Sequence, residues 1–380
     1  MYFTIFTVFF QTYCSMLFSN YGKSIAIDGI SVSAFFMIGA FVFSAIYVFN
    51  NKLDFLMIYM IIYSVLNLLI TTICGVYPIR NLPFKAVEIA CWVNVFIIGY
   101  FVAYKNEQIE KYLVLMLWML PVFLWYFIDM FNAQIEPEKQ GTLLLNSVFY
   151  ILFLLPVGLT VKNNKMRYVF LIITFAAIIC SSKRSAIIAF IMAVVVYLVI
   201  NFKLNKDNRI GRILIIILAM IIAVILFDKI QSAFGIDTIG RLENISTDGG
   251  SGRTTIWGKM FEYMKNQDLL EWMLGHGHRT TTVFGGAHND FLEVLYDSGL
   301  IGFGFYIAII FKLTAKMAEM IKAKYIYADS FAFSIVIFLI ESLVSQLVIL
   351  TQWFLIMSLY WGMIIGHFNR YNAERTAQDG

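Results

Sequence analysis

Three of the four histidines in this 380-residue chain fall in one polar stretch, residues 249–302. It reads GGSGRTTIWGKMFEYMKNQDLLEWMLGHGHRTTTVFGGAHNDFLEVLYDSGLIG and carries His276, His278 and His288 together with Arg253 and Arg279. A histidine titrates near neutral pH and can take a proton from a hydroxyl nucleophile. A guanidinium fork suits a diphosphate better than an ammonium does. Side chains of these two types can hold an anion and activate an alcohol.

Each residue has a plainer alternative. Arg253, in GGSGRTT, follows glycines that permit a tight turn into a helix beginning near Thr254. The amides and dipole at that end favour an anion, which an adjacent arginine would share. The alternative is a solvated loop arginine; a phosphate loop is excluded, because GxxxxGK[ST] is absent. Asp290 and Glu293 resemble a capping box that starts a helix just after His288, so His288 is expected at a membrane interface. His276 and His278 form an HxH pair, a common pair of metal ligands, but no cysteine or carboxylate set completes a shell, and no metal is expected. Upstream, CSSKRSAII places Lys183 and Arg184 between two apolar runs, flanked by Ser181, Ser182 and Ser185. The pair reads either as an ordinary basic turn or as an anion site, since an arginine at that depth is costly without a partner.

These residues need a scaffold, and composition supplies its class. Hydrophobic residues make up 60% of the chain and charged residues 14%, where a soluble domain carries about 25% charged. Mean hydropathy is +0.78. The chain reads as an all-α, polytopic integral membrane protein with about 12 transmembrane helices. The expected spans lie near 2–18, 30–49, 54–74, 84–104, 111–131, 142–161, 166–181, 185–200, 210–227, 289–311, 327–346 and 350–367. The first span carries no basic n-region or cleavage site and reads as a retained helix. The net charge of +4 reads as positive-inside bias and not as a nucleic-acid footprint. Lysines and arginines concentrate in alternate loops, which places both termini in the cytoplasm and residues 228–288 outside, as a loop with short amphipathic helices. Two spans separate Lys183 and Arg184 from that loop, so parity puts all of these residues on one face. One domain, 1–380, is expected, with no repeat or linker. Four cysteines (Cys14, Cys74, Cys91, Cys180) read as packing residues. Sparse acidic groups within spans, chiefly Glu88, Asp129 and Glu341, lean against a proton-coupled transporter.

The run SSKRSA, SGR–T–W, LGHG and then AHNDFLEVLYDSGLIG entering a span resembles the O-antigen polymerase and ligase superfamily, over about residues 180–312. The resemblance implies a metal-independent, inverting membrane glycosyltransferase without cofactor. It would use an undecaprenyl-diphosphate-linked oligosaccharide as donor. Carried over by position, Arg184 and Arg253 bind the diphosphate, and His288 activates the acceptor hydroxyl. Lys183, Arg241, Arg279 and Asn289 are supporting candidates. The short outer loop and a composition rich in Lys, Asn, Ile, Phe and Tyr favour a polymerase, which extends a lipid-linked repeat unit, over a ligase, which transfers to lipid A–core. Implied partners are the lipid-linked donor and acceptor, membrane lipid and a chain-length regulator, in a bacterial inner membrane with the site facing the periplasm. A lipid-linked oligosaccharide flippase is the reading from another class.

Overall fold

A computed structural model describes residues 1–21, 26–27, 30–106, 108–134, 146–181, 183–204, 252–348 and 351–379. The described chain is helical, apart from a two-residue antiparallel pairing of Ala26–Ile27 with Ile30–Ser31. In order, the helices are α1 (Tyr2–Tyr21), α2 (Val32–Asn50), α3 (Phe55–Ile73), α4 (Leu82–Lys105), α5 (Glu110–Leu117), α6 (Leu120–Gln134) and α7 (Val148–Leu159). Then come α8 (Asn164–Ser181), α9 (Arg184–Leu204), α10 (Arg253–Lys265), α11 (Leu269–Leu274), α12 (Asp290–Lys322), α13 (Ala328–Val344) and α14 (Thr351–Asp379).

Each expected span except 210–227 coincides with one of these helices, with α5 and α6 sharing the fifth. The 210–227 segment and residues 228–251, with Arg241, lie outside the described residues. Among the described residues, seven helical segments are long and apolar enough to cross a membrane: Ser33–Asn50, Phe55–Ile73, Leu82–Lys105, Glu110–Ala133, Asn164–Ser181, Arg184–Leu204 and Asp290–Lys322. The chain is a polytopic all-α membrane protein.

The described residues form two compact units. The first comprises 1–112, 252–318 and 341–380, and the second 113–251 and 319–340. In the first unit, α4 is buried on every face from Cys91 to Ala103, as is α14 over 353–366. A helix apolar all round belongs at the centre of a bundle. The two axes approach closely because Gly99 faces Leu359 while Gly362 and Gly366 face the backbone of Phe96 and Tyr100. This is a GxxxG contact, in which small residues let backbones meet in lipid. A Cβ at Gly362 would overlap the Phe96 carbonyl oxygen. Gly362→Ala should therefore cost about 1–3 kcal/mol by overpacking, read as a lower thermal midpoint in detergent. An unchanged midpoint would show that the helices can separate without penalty.

In the second unit, α7 is buried throughout, and its Gly158 lies against the Phe170 ring of α8. Helix α9 joins α13 through Phe190 and Tyr197, both edge-on to Phe333. Asn201 Nδ2 also donates to the buried Asp329 Oδ2 at 2.6 Å.

Candidate functional site

The polar stretch folds as a small platform in the first unit. Gly252, at φ +80°, caps α10, so Arg253 is the first helical residue and is half-buried. The expected turn before a helix at this point is present. Met260 and Met264 of α10 are buried with Ala287 and Tyr296, and Ile256 and Trp257 pack against them. One of the amphipathic helices expected in this loop is therefore present, with Phe261 on its exposed side. Helix α11 opens with a capping box, Asp268 accepting from Glu271 N at 2.8 Å.

The box expected at Asp290 and Glu293 is a correction. Asn289 caps α12 instead, its Oδ1 accepting from Leu292 N at 3.1 Å. Asp290 Oδ1 accepts from Val348 N at 3.1 Å. Glu293 is fully buried and accepts from Ala287 N at 2.6 Å, from Thr281 Oγ1 and from Gln346 Nε2. One turn further, Asp297 is buried and accepts from Arg279 N at 2.6 Å, Thr280 N at 3.1 Å and Thr280 Oγ1 at 2.8 Å. Positions 290, 293 and 297 share one helical face. Their carboxylates take up amide and side-chain donors of the loop ahead of the helix, which a buried irregular backbone must place somewhere. Sequence reasoning missed these anchoring roles. Three acids at i, i+3 and i+7 beside an apolar run were the available signal.

His288 sits within this frame, half-buried and at φ +50°, a left-handed conformation uncommon for a non-glycine residue. Both neighbours are pinned. Ala287 donates to Glu293, while its carbonyl accepts from Trp257 Nε1 at 2.7 Å. Asn289 Nδ2 donates to Leu343 O at 3.0 Å. Backbone strain held by surrounding bonds is frequent at functional positions.

The other candidates separate in role. Arg279 Nη1 donates to Glu88 Oε1 at 2.9 Å, and Lys85 Nζ meets Glu88 Oε2 at 2.5 Å. Glu88 is thus the counter-ion of the loop. His278 is buried, its N–H donates to Thr71 Oγ1 at 2.9 Å, and its Nε2 lies 3.8 Å from Glu88 Oε1, too long for a hydrogen bond. The His276 ring lies 4.5 Å from that of Tyr296, centroid to centroid, and its Nε2 meets Gln267. The two rings of the HxH pair face different residues and share no ligand-like arrangement. Among the described residues no group of three His, Cys, Asp or Glu could hold a metal ion. Lys183 and Arg184 belong to the second unit, where Arg184 opens α9, half-buried, and Lys183 N donates to Ser181 Oγ at 3.2 Å.

Burial holds His276 and His278 below the usual imidazole range, the Glu88 carboxylate partly opposing this for His278. Both stay neutral in the fold, whereas the unfolded chain takes up these protons near pH 6.5. Their contribution to stability is complete above that pH and is lost as pH falls through it. The thermal midpoint in detergent should drop between about pH 7.5 and 5.5, and His278→Gln should flatten the slope. A midpoint that held level across that window would contradict the assignment.

The structure is that of a multi-pass membrane protein carrying a histidine on a strained, carboxylate-anchored platform. Residues 169–307 match the family model described as O-antigen ligase, over the segment that holds the polar platform. No curated protein matches the chain.

Proposed function

We propose that the protein is a surface-polysaccharide polymerase. It transfers a glycan from a polyprenyl diphosphate donor to a hydroxyl of a lipid-linked repeat unit, with inversion at the anomeric carbon and without metal. His288 takes the proton of the acceptor hydroxyl as its oxygen bonds the anomeric carbon. The bond from that carbon to the diphosphate oxygen breaks, and its electron pair leaves with the lipid diphosphate. Arg184 and Arg253 stabilise that leaving charge, electrostatic stabilisation being the larger effect in such transfers. Lys183, Arg241 and Asn289 support them, and Arg279, engaged by Glu88, acts through the loop. The site faces the periplasm of a bacterial inner membrane, where a chain-length regulator would act.

The observation that carries this reading is the placement of His288, strained and pinned on both sides, within the segment that matches the family. Purified protein supplied with lipid-linked repeat units should extend them. His288→Ala should cut the rate about a hundredfold or more, with Arg184→Ala and Arg253→Ala also impaired and EDTA without effect. Wild-type extension by the His288→Ala protein would sink the assignment.

The family's description as O-antigen ligase favours a second reading, transfer to lipid A–core. Offering both acceptors in one reaction separates the two: product on lipid A–core alone identifies a ligase.

A further inference from the structure

A cavity of about 430 Å³ opens in the second unit where the start of α8, the end of α9 and the turn between α12 and α13 meet. Its size falls in the range of small-molecule sites. One part of the wall is apolar, including Leu171, Val194 and Leu198. Another carries Arg167, Lys324 and Asp329. Arg167 Nε donates to Val161 O, which fixes its guanidinium at the wall. Asp329 is turned to internal donors, Oδ2 accepting from Asn201 Nδ2 at 2.6 Å and Oδ1 from Ser330 N at 2.8 Å. Two cations against this one carboxylate leave the opening with a net positive charge.

The surroundings reinforce that sign. Lys162, Lys165, Lys203 and Lys322 flank the same helix ends and are all exposed. Glu319 is the acidic residue of α12 in this unit. A basic end of this kind marks the cytoplasmic side of a membrane protein. Helix α9, with 21 residues, separates Arg184 at its first position from Leu204 at this end by roughly 30 Å. The cavity therefore lies at the opposite end of a span from Arg184.

We propose that this cavity binds the phosphate headgroup of an anionic phospholipid of the cytoplasmic leaflet. Arg167 and Lys324 meet the phosphodiester, and the leucine- and valine-lined wall takes the first methylenes of the acyl chains. Basic pockets between spans on that side have the chemistry for such headgroups. The site is separate from the glycan-transfer reading and does not depend on it.

The test is binding of phosphatidylglycerol to full-length protein in a neutral detergent, followed by native mass spectrometry and thermal midpoint. Phosphatidylcholine and inorganic phosphate serve as separate arms. Phosphatidylglycerol should bind and raise the midpoint, while phosphatidylcholine does neither. Lys324 is exposed and at φ +52°, a conformation that asparagine tolerates. Lys324→Asn should weaken binding about fivefold, and Arg167→Gln with Lys324→Asn about twentyfold. The lipid-free midpoint of Lys324→Asn should match wild type, which separates lost binding from lost folding. Equal binding of the two lipids, or full binding by the double variant, overturns the proposal. Stabilisation by inorganic phosphate with no preference for the anionic lipid overturns the lipid assignment.

Discussion

The Glu293→Ala protein should extend lipid-linked glycan about a hundredfold more slowly than wild type at equal folded abundance, the size of effect expected when a reacting group is displaced by about an ångström. Glu293 joins three segments at once: Thr281 in the loop, Ala287 beside His288, and Gln346 in the connection after α13. Removing its carboxylate leaves an amide, a side-chain amide and a hydroxyl buried without this acceptor, each costing about 1–3 kcal/mol. With Ala287 released, His288 then relaxes from its left-handed conformation. Glu293→Gln separates positioning from simple instability. Its carbonyl can still accept from Ala287 and Gln346, while its amide turns to the Thr281 hydroxyl, which can accept. Most of the activity should return. The loss in Glu293→Ala should appear in kcat more than in KM, because the carboxylate holds the base and not the substrate. If Glu293→Ala kept wild-type turnover while His288→Ala lost it, the positioning role would fail and the catalytic reading would stand. If both kept it, the catalytic reading itself would fail.

Gly299→Ala should yield little or no folded protein. Helix α12 bends at this residue, which takes φ 61° and ψ −171°, a region open essentially to glycine alone. A Cβ there would also overlap the backbone of Met273 and Gly275. Gly275, at φ +76°, faces the backbone of Asp297 and Gly299 in return. The loop is stitched to the helix where they meet, with His276 N donating to Tyr296 O at 3.1 Å and Gly277 N to Asp297 O at 2.8 Å. The conformational strain alone costs about 1–3 kcal/mol, and backbone overlap adds to it because neither partner is a flexible side chain. Fluorescence-detected size-exclusion of the detergent extract reads the outcome. A symmetric peak at wild-type abundance and an unchanged thermal midpoint would refute this account of the bend.

Both cases show where sequence reasoning reached and where it stopped. The helices outside 210–227 were legible because a run of apolar residues long enough for a bilayer has few other uses. The α10 face was legible because apolar residues recur at helical spacing through Ile256, Met260 and Met264. The LGHG and DSGLIG glycines stood out in the family resemblance. Their partnership did not, since Gly275 and Gly299 are 24 positions apart and nothing local pairs them.

Glu88 shows the same limit in an ion pair. It stood out as an acid in an apolar run, yet its partner Arg279 is 191 residues away. The acids at 290 and 293 invited a local explanation, a capping box, because local rules can invoke only near neighbours. In the fold, Glu293 reaches 53 positions on to Gln346 and Asp290 reaches 58 positions on to Val348.

Residue types and their periods therefore determined the membrane class and the helices. The tertiary structure decided which carboxylate anchors which loop, and it left Arg279 bound to Glu88 and His288 strained between pinned neighbours. The physical reason is that apolar burial follows from local pattern, whereas a buried donor must find its acceptor wherever the folded chain brings one. The polar stretch holds its shape through those distant acceptors.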